Sequence, residues 1–217
     1  MKNAFSIYRF RTVMLPLLIV FLPCQAFSEE IVLIASQDTS ITEHPQAGGV
    51  DSNHGGDPVI QAIGSATFRS FPMLKFDLSD LAGSVVTGDA VFSIYLRDVH
   101  PKQKTVQKNI SLYAWSSLDW DEYTITFQQV EFPASPTSRP SDLTQPKLDT
   151  VSVNISNRES YISFTIPRSI VQQWIDNAAS NHGLALVNER FDVGNDLVFN
   201  ANGLAKGTES TLSFSIN

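Results

Sequence analysis

Asp119, Asp121 and Glu122 put three carboxylates within the run Asp119-Trp-Asp-Glu. Paired carboxylates are the working groups of glycoside hydrolysis, but acid and base must face each other across a bond, about 5–9 Å apart. Three acids in one short run are more simply a turn, with Trp120 beside them as a core anchor. No Gly-x-Ser-x-Gly and no His-Glu-x-x-His occurs, and the one cysteine, Cys24, lies in an N-terminal apolar leader. His44, His54, His100 and His182 fall in expected turns, where exposure is the simplest reading and none has a partner at ligand spacing. The chemistry available is that of binding, and no enzyme is expected.

Two groups of residues suit binding. Asp38, Asp51 and Asn53 bring hard oxygen atoms to two neighbouring turns, as a structural Ca²⁺ with six to eight oxygen ligands would require. Asp and Asn in a Gly-rich turn also bond their own backbone in Asx-turns, and both readings stand at this stage. Lys75, Tyr95, Arg97, Tyr113 and Trp115 form the second group. Each falls on the phase opposite the apolar residues of its strand. On neighbouring strands they would share an outer sheet face, aromatic for stacking on sugar rings and basic for carboxylate or sulfate oxygens. The competing reading is an ordinary solvated face with Trp115 tucked under a loop.

Period-two alternation supplies the elements that must hold these residues. Leu74, Phe76 and Leu78 alternate with Lys75, Asp77 and Ser79. Phe92, Ile94 and Leu96 alternate with Ser93, Tyr95 and Arg97, and Ile110, Leu112 and Ala114 with Ser111, Tyr113 and Trp115. Further short strands are expected at Ile31–Ala35, Val59–Ile63, Tyr161–Ile166, Leu184–Val187, Asp196–Phe199 and Thr211–Ile216. Turn chemistry separates them at Ala82–Gly83, His100–Pro101, Asn181–Gly183 and Asn202–Gly203. One segment reads as helical: after Pro167, residues Ile170, Val171, Trp174 and Ile175 share a face. About eight to ten short strands with one helix predict an all-β fold, an antiparallel β-sandwich of jelly-roll type. The proline-rich stretch Glu131–Lys147 reads as a surface loop within it.

Three stretches also resemble a known family. Asp38-Thr-Ser-Ile and the turn Asp51-Ser-Asn53-His-Gly55 come first, then Arg69, Leu74 and Lys75, then Ser163-Phe-Thr-Ile, Val171-Gln-Gln-Trp174 and Asn181-His-Gly-Leu-Ala-Leu186. In order and spacing these resemble the DNRLRE-type domain, an all-β module also classed as a carbohydrate-binding module of family 96 active on acidic polysaccharides. The resemblance implies a polysaccharide partner, an anionic one, for which Lys75, Tyr95, Arg97 and Tyr113 of the outward set, with Arg69 of the family pattern, are the candidate contacts. It also favours structural calcium at Asp38, Asp51 and Asn53, and service to a separate carbohydrate-active enzyme. One departure stands out: where the family carries Ser-x-Glu near its end, this chain has Phe199-Asn200-Ala201-Asn202. A structural or assembly module without a sugar ligand is the alternative.

Lys2, Arg9 and Arg11 precede the apolar run Thr12–Pro23, and Ala26 and Ser28 are small residues before Glu29. This is the layout of a secretory signal peptide over residues 1–28, with an apolar run too short for a membrane span. A lipoprotein signal at Cys24 is the other option, and Phe21 and Pro23 suit it poorly. A secreted or periplasmic protein is expected, with residues 29–217 as one domain built on a hydrophobic core without a disulfide. The chain's net charge of −7 includes three basic residues and no acid from the leader, so the remainder is more acidic still. That balance argues against nucleic acid and anionic membrane as partners.

Overall fold

The computed structural model describes residues 28–43, 51–64, 69–99, 107–115, 119–130, 147–189, 196–201 and 206–217. The expected loop over Glu131–Lys147 lies almost wholly outside them, as do His44 and His100. The described strands are β1 (Glu29–Ile34), β2 (Gln37–Glu43), β3 (Val59–Gly64), β4 (Arg69–Lys75), β5 (Ala90–Val99), β6 (Lys108–Ala114), β7 (Asp149–Val153), β8 (Ser160–Ile166), β9 (Leu184–Asn188), β10 (Asp196–Asn200) and β11 (Thr211–Ile216). Helix α1 covers Arg168–Asp176, with Pro167 one place earlier than a first-turn position, as its N-cap.

All strand pairs are antiparallel, in the order β1-β11-β5-β10-β3-β4-β9-β6-β7, with β2 added to β4 and β8 added to β5. The sheet curls until its far end meets β8, where the Thr165 N–H donates to Asp149 Oδ2 at 2.7 Å. One layer is β1-β11-β5-β8 and the other is β2-β4-β9-β6-β7, with β10 and β3 running between them. The all-β antiparallel sandwich with one short helix is therefore the observed architecture. Its alternating apolar residues meet inside: Phe92 of β5 lies 6.0 Å from Phe76 at the end of β4 and 5.8 Å from Phe164 of β8, between ring centres. Val171, Trp174 and Ile175 of α1 close one end. Every such side chain contributes roughly 1.5–3 kcal/mol of burial.

In the second layer, β2, β4 and β9 are buried on both faces, while β7 at its edge exposes Thr150 and Ser152. On the layer's outer side Ile41, Phe71, Met73, Tyr113, Ala185 and Val187 pack under Trp115, Trp120, Ile125, Phe127 and Val130. This explains why β4 and β9 are almost continuously buried and do not alternate. It also corrects the expected open face, because Tyr113 and Trp115 are fully covered. β7, whose residues Asp149–Val153 alternate weakly, was not anticipated.

Two Asn-His-Gly turns fasten the covering segment. Asn53 Nδ2 donates to the carbonyls of Glu122 and Ile125, both at 2.7 Å, while its Oδ1 accepts the Gly55 N–H at 3.1 Å. Asn181 repeats the pattern, donating to Phe76 O at 2.8 Å and accepting Gly183 N–H at 3.2 Å. Each glycine lies against a carbonyl: a Cβ on Gly55 would stand 1.9 Å from Glu122 O, and one on Gly183 2.3 Å from Leu74 O. Trp120 then bonds His182 O at 2.8 Å through Nε1.

Candidate functional site

The expected binding residues do not gather on one face, because β4, β5 and β6 are not neighbours. Tyr113 is a core anchor: its hydroxyl donates to Glu189 Oε1 at 3.2 Å, and Lys147 lies over its ring at 5.9 Å. Arg69 is only 8% exposed. It pairs with Glu43, directly opposite on β2, through Nε at 2.7 Å and Nη2 at 2.6 Å, and covers the Phe127 ring at 5.6 Å. Glu43 thus supplies a carboxylate to Arg69. At the Phe199–Asn202 departure, Asn200 is buried and bonds Thr208 Oγ1 at 2.9 Å. Lys75 stands apart, joined to Asp119 at 2.8 Å.

Tyr95 and Arg97 do share a surface, the outer face of β5. Inward Phe92, Ile94 and Leu96 turn Ser93, Tyr95 and Arg97 outward by the two-residue period. β8 pairs with β5 over its whole length and sets Ser163 opposite Ser93 and Tyr161 opposite Tyr95. The two serine hydroxyls bond each other at 2.8 Å. The rings of Tyr95 and Tyr161 meet edge to face, 5.4 Å apart at 82°.

Tyr161 carries the geometry. Its hydroxyl reaches over β5 to the carbonyls of Gly207 and Glu209, at 3.1 and 3.2 Å, in the turn leading into β11. β11 flanks β5 on the side opposite β8, so the ring spans β5 and is held at both ends. It nonetheless remains 42% exposed. Partial burial, then Glu209 and Tyr95, raise the phenol pKa above its ordinary value, so the ring stays neutral. Arg97 is exposed beside this platform and has no ion pair or hydrogen bond among the described residues. Tyr161 was read from the sequence only as part of a strand. The outward set Tyr161, Ser163 and Thr165 was visible in the alternation, but its pairing with β5 is non-local.

Asp38, Asp51 and Asn53 behave differently from one another. Asp38 is buried, and its main-chain N–H donates to Glu122 Oε2 at 2.9 Å. Asp51 is exposed. Asn53 spends both amide protons on main-chain carbonyls and its oxygen on Gly55, as an Asx-turn does. Among the described residues, no three His, Cys, Asp or Glu side chains converge as a metal would need. The Asn53 amide is therefore engaged in the turn and on the covering segment. His54 and His182 are half-buried instead of exposed, and His54 Nδ1 meets Asp57 at 2.8 Å.

No protein-family model matches the chain, and no curated protein matches it. No helix among the described residues is long and apolar enough to cross a membrane.

Proposed function

We propose that this protein is a non-catalytic carbohydrate-binding module that holds an acidic polysaccharide along the outer face of β5 and β8. The observation that carries the reading is Tyr161, pinned by its hydroxyl across β5 yet open on one side. A sugar ring needs a flat apolar surface already in place, and a held ring loses little entropy on binding. Arg97 adds a guanidinium fork for a uronic carboxylate or a sulfate. The resemblance to the DNRLRE-type domain supports the same ligand class. With an acidic body, long-range repulsion opposes a polyanion, so capture depends on short contacts at this face.

A glycan array of neutral, uronic and sulfated chains tests the reading. Binding to acidic chains is expected, and R97A should weaken it while leaving the fold intact. Absence of acidic-glycan binding would overturn it.

A second reading, an assembly module, is favoured by β1. Among the described residues this strand pairs only with β11, and its outward Val32 and Ile34 are 58% and 54% exposed. Open apolar edges invite pairing with another chain. Concentration-dependent sedimentation abolished by V32K would support this reading.

A further inference from the structure

Lys75, set apart from the Tyr95–Tyr161 face, lines a cleft of about 580 Å³ where the end of β4, the start of β2 and the turn after α1 meet. That volume lies within the range of small-ligand sites. Its charged side chains are Lys75, Asp77 and Asp119, two carboxylates against one ammonium, and the His182 imidazole lines it beside Asp119. The ammonium is already engaged by Asp119 at 2.8 Å, and Asp77 Oδ1 accepts the Ser79 N–H at 2.9 Å. Gln37, directly across the β2–β4 pair from Lys75, has a buried Oε1 with no hydrogen-bond partner. Asp77 and Asp119 each keep a second carboxylate oxygen, and an ionised carboxylate only accepts.

The lining is mixed, and Phe76, Leu78, Trp174, Ala178 and Ala179 make its apolar part. Phe76 and Trp174 are buried beneath the cleft, and Ala178 and Ala179 form an exposed rim without bulk. Vicinal hydroxyls can donate to the two oxygens of one carboxylate while the C–H face of the sugar rests on the alanines. A uronate would instead meet Asp77 and Asp119 with like charge.

We propose that this cleft is a second site, specific for a neutral sugar unit, and distinct from the β5–β8 face. Only the ligand class rests on the sugar-binding reading above. The chain then holds a mixed or branched polysaccharide at two points, by its acidic units at Arg97 and by a neutral unit at Asp77 and Asp119. Linking two weak contacts in this way raises avidity without a new contact.

Calorimetric titration of the purified protein with neutral tetrasaccharides of glucose, mannose and galactose, and with a galacturonate tetrasaccharide, tests this. A179W fills the cleft from an exposed position, and D77N removes one acceptor. Each should weaken the best neutral probe about tenfold or more, roughly 1.4 kcal/mol, and leave the galacturonate unaffected. Y161A should do the reverse. Neutral binding unchanged in both A179W and D77N, or no neutral binding at all, would overturn the second site and leave the β5–β8 face standing. Galacturonate binding indifferent to Y161A would overturn the face and leave the cleft standing.

Discussion

Asn53 holds Glu122 by its main-chain carbonyl at 2.7 Å, and the Glu122 carboxylate in turn accepts the Asp38 N–H at 2.9 Å. Two residues thereby join three stretches far apart in the chain: β2, the Gly-rich turn and the segment that covers the second layer. The Asp-x-Asn-x-Gly turn is a clamp on that segment.

Removing the clamp should loosen the cover before it unfolds the sandwich. N53A deprives two carbonyls of their donor and should cost about 1–3 kcal/mol. G55A drives a Cβ into Glu122 O and should cost a similar amount through overpacking. Denaturant midpoints measure both, and the emission of Trp120 should shift to the red in each variant.

Tyr113 and Tyr161 should separate stability from binding. Y113A opens a cavity in the outer core and should cost about 3–5 kcal/mol. Y161A gives up two hydrogen bonds at an exposed ring and should cost about 1–2 kcal/mol, while removing most affinity for an acidic glycan. Thermal unfolding with parallel glycan titration distinguishes them. Equal destabilisation by the two substitutions would contradict the assignment.

If Asp38 and the Asp51–Asn53 turn hold Ca²⁺ as well as the clamp, chelation should lower the melting temperature, and unchanged melting would leave only the turn and the clamp. A ligand bound only to the native state stabilises it, so added Ca²⁺ should reverse the fall.

Strands such as β5 and β8, and the helix, were legible because inward and outward residues alternate where one face meets water. Phe92-Ser-Ile-Tyr-Leu-Arg and Tyr161-Ile-Ser-Phe-Thr-Ile show it plainly. In contrast, β7 was missed, and the alternation expected over Leu74–Ser79 is a strand only to Lys75. The same rule misled at Tyr113 and Trp115, whose outward phase is covered by Trp120, Ile125 and Phe127. Alternation tells which side of a strand a residue takes, and a second core on the far side follows only from long-range contacts. Tyr161 was hidden for the same reason, since its worth comes from pairing with β5 and from carbonyls at Gly207 and Glu209. Both Asn-His-Gly turns were visible as turns, and their carbonyl partners were not.

The Lys75–Asp119 pair should contribute little and in a defined pH window. A hydrogen bond from Lys75, then its charge, lowers the Asp119 pKa below its ordinary value. A depressed carboxyl pKa stabilises above the unfolded value, about 3.9, and the gain is lost as pH falls through the folded value. Asp119 is 80% exposed, so D119N should cost no more than about 1 kcal/mol at neutral pH. That difference should shrink with added salt and vanish in strong acid. Denaturant titrations of both proteins across pH would show it.

Amide chemical shifts of the protein, followed while a galacturonate tetrasaccharide is titrated in, test the central claim most directly. The account predicts shifts concentrated at Ser93, Tyr95 and Arg97 of β5, at Tyr161 and Ser163 of β8, and at Gly207 and Glu209. Shifts confined to another surface, or none at saturating sugar, would contradict it.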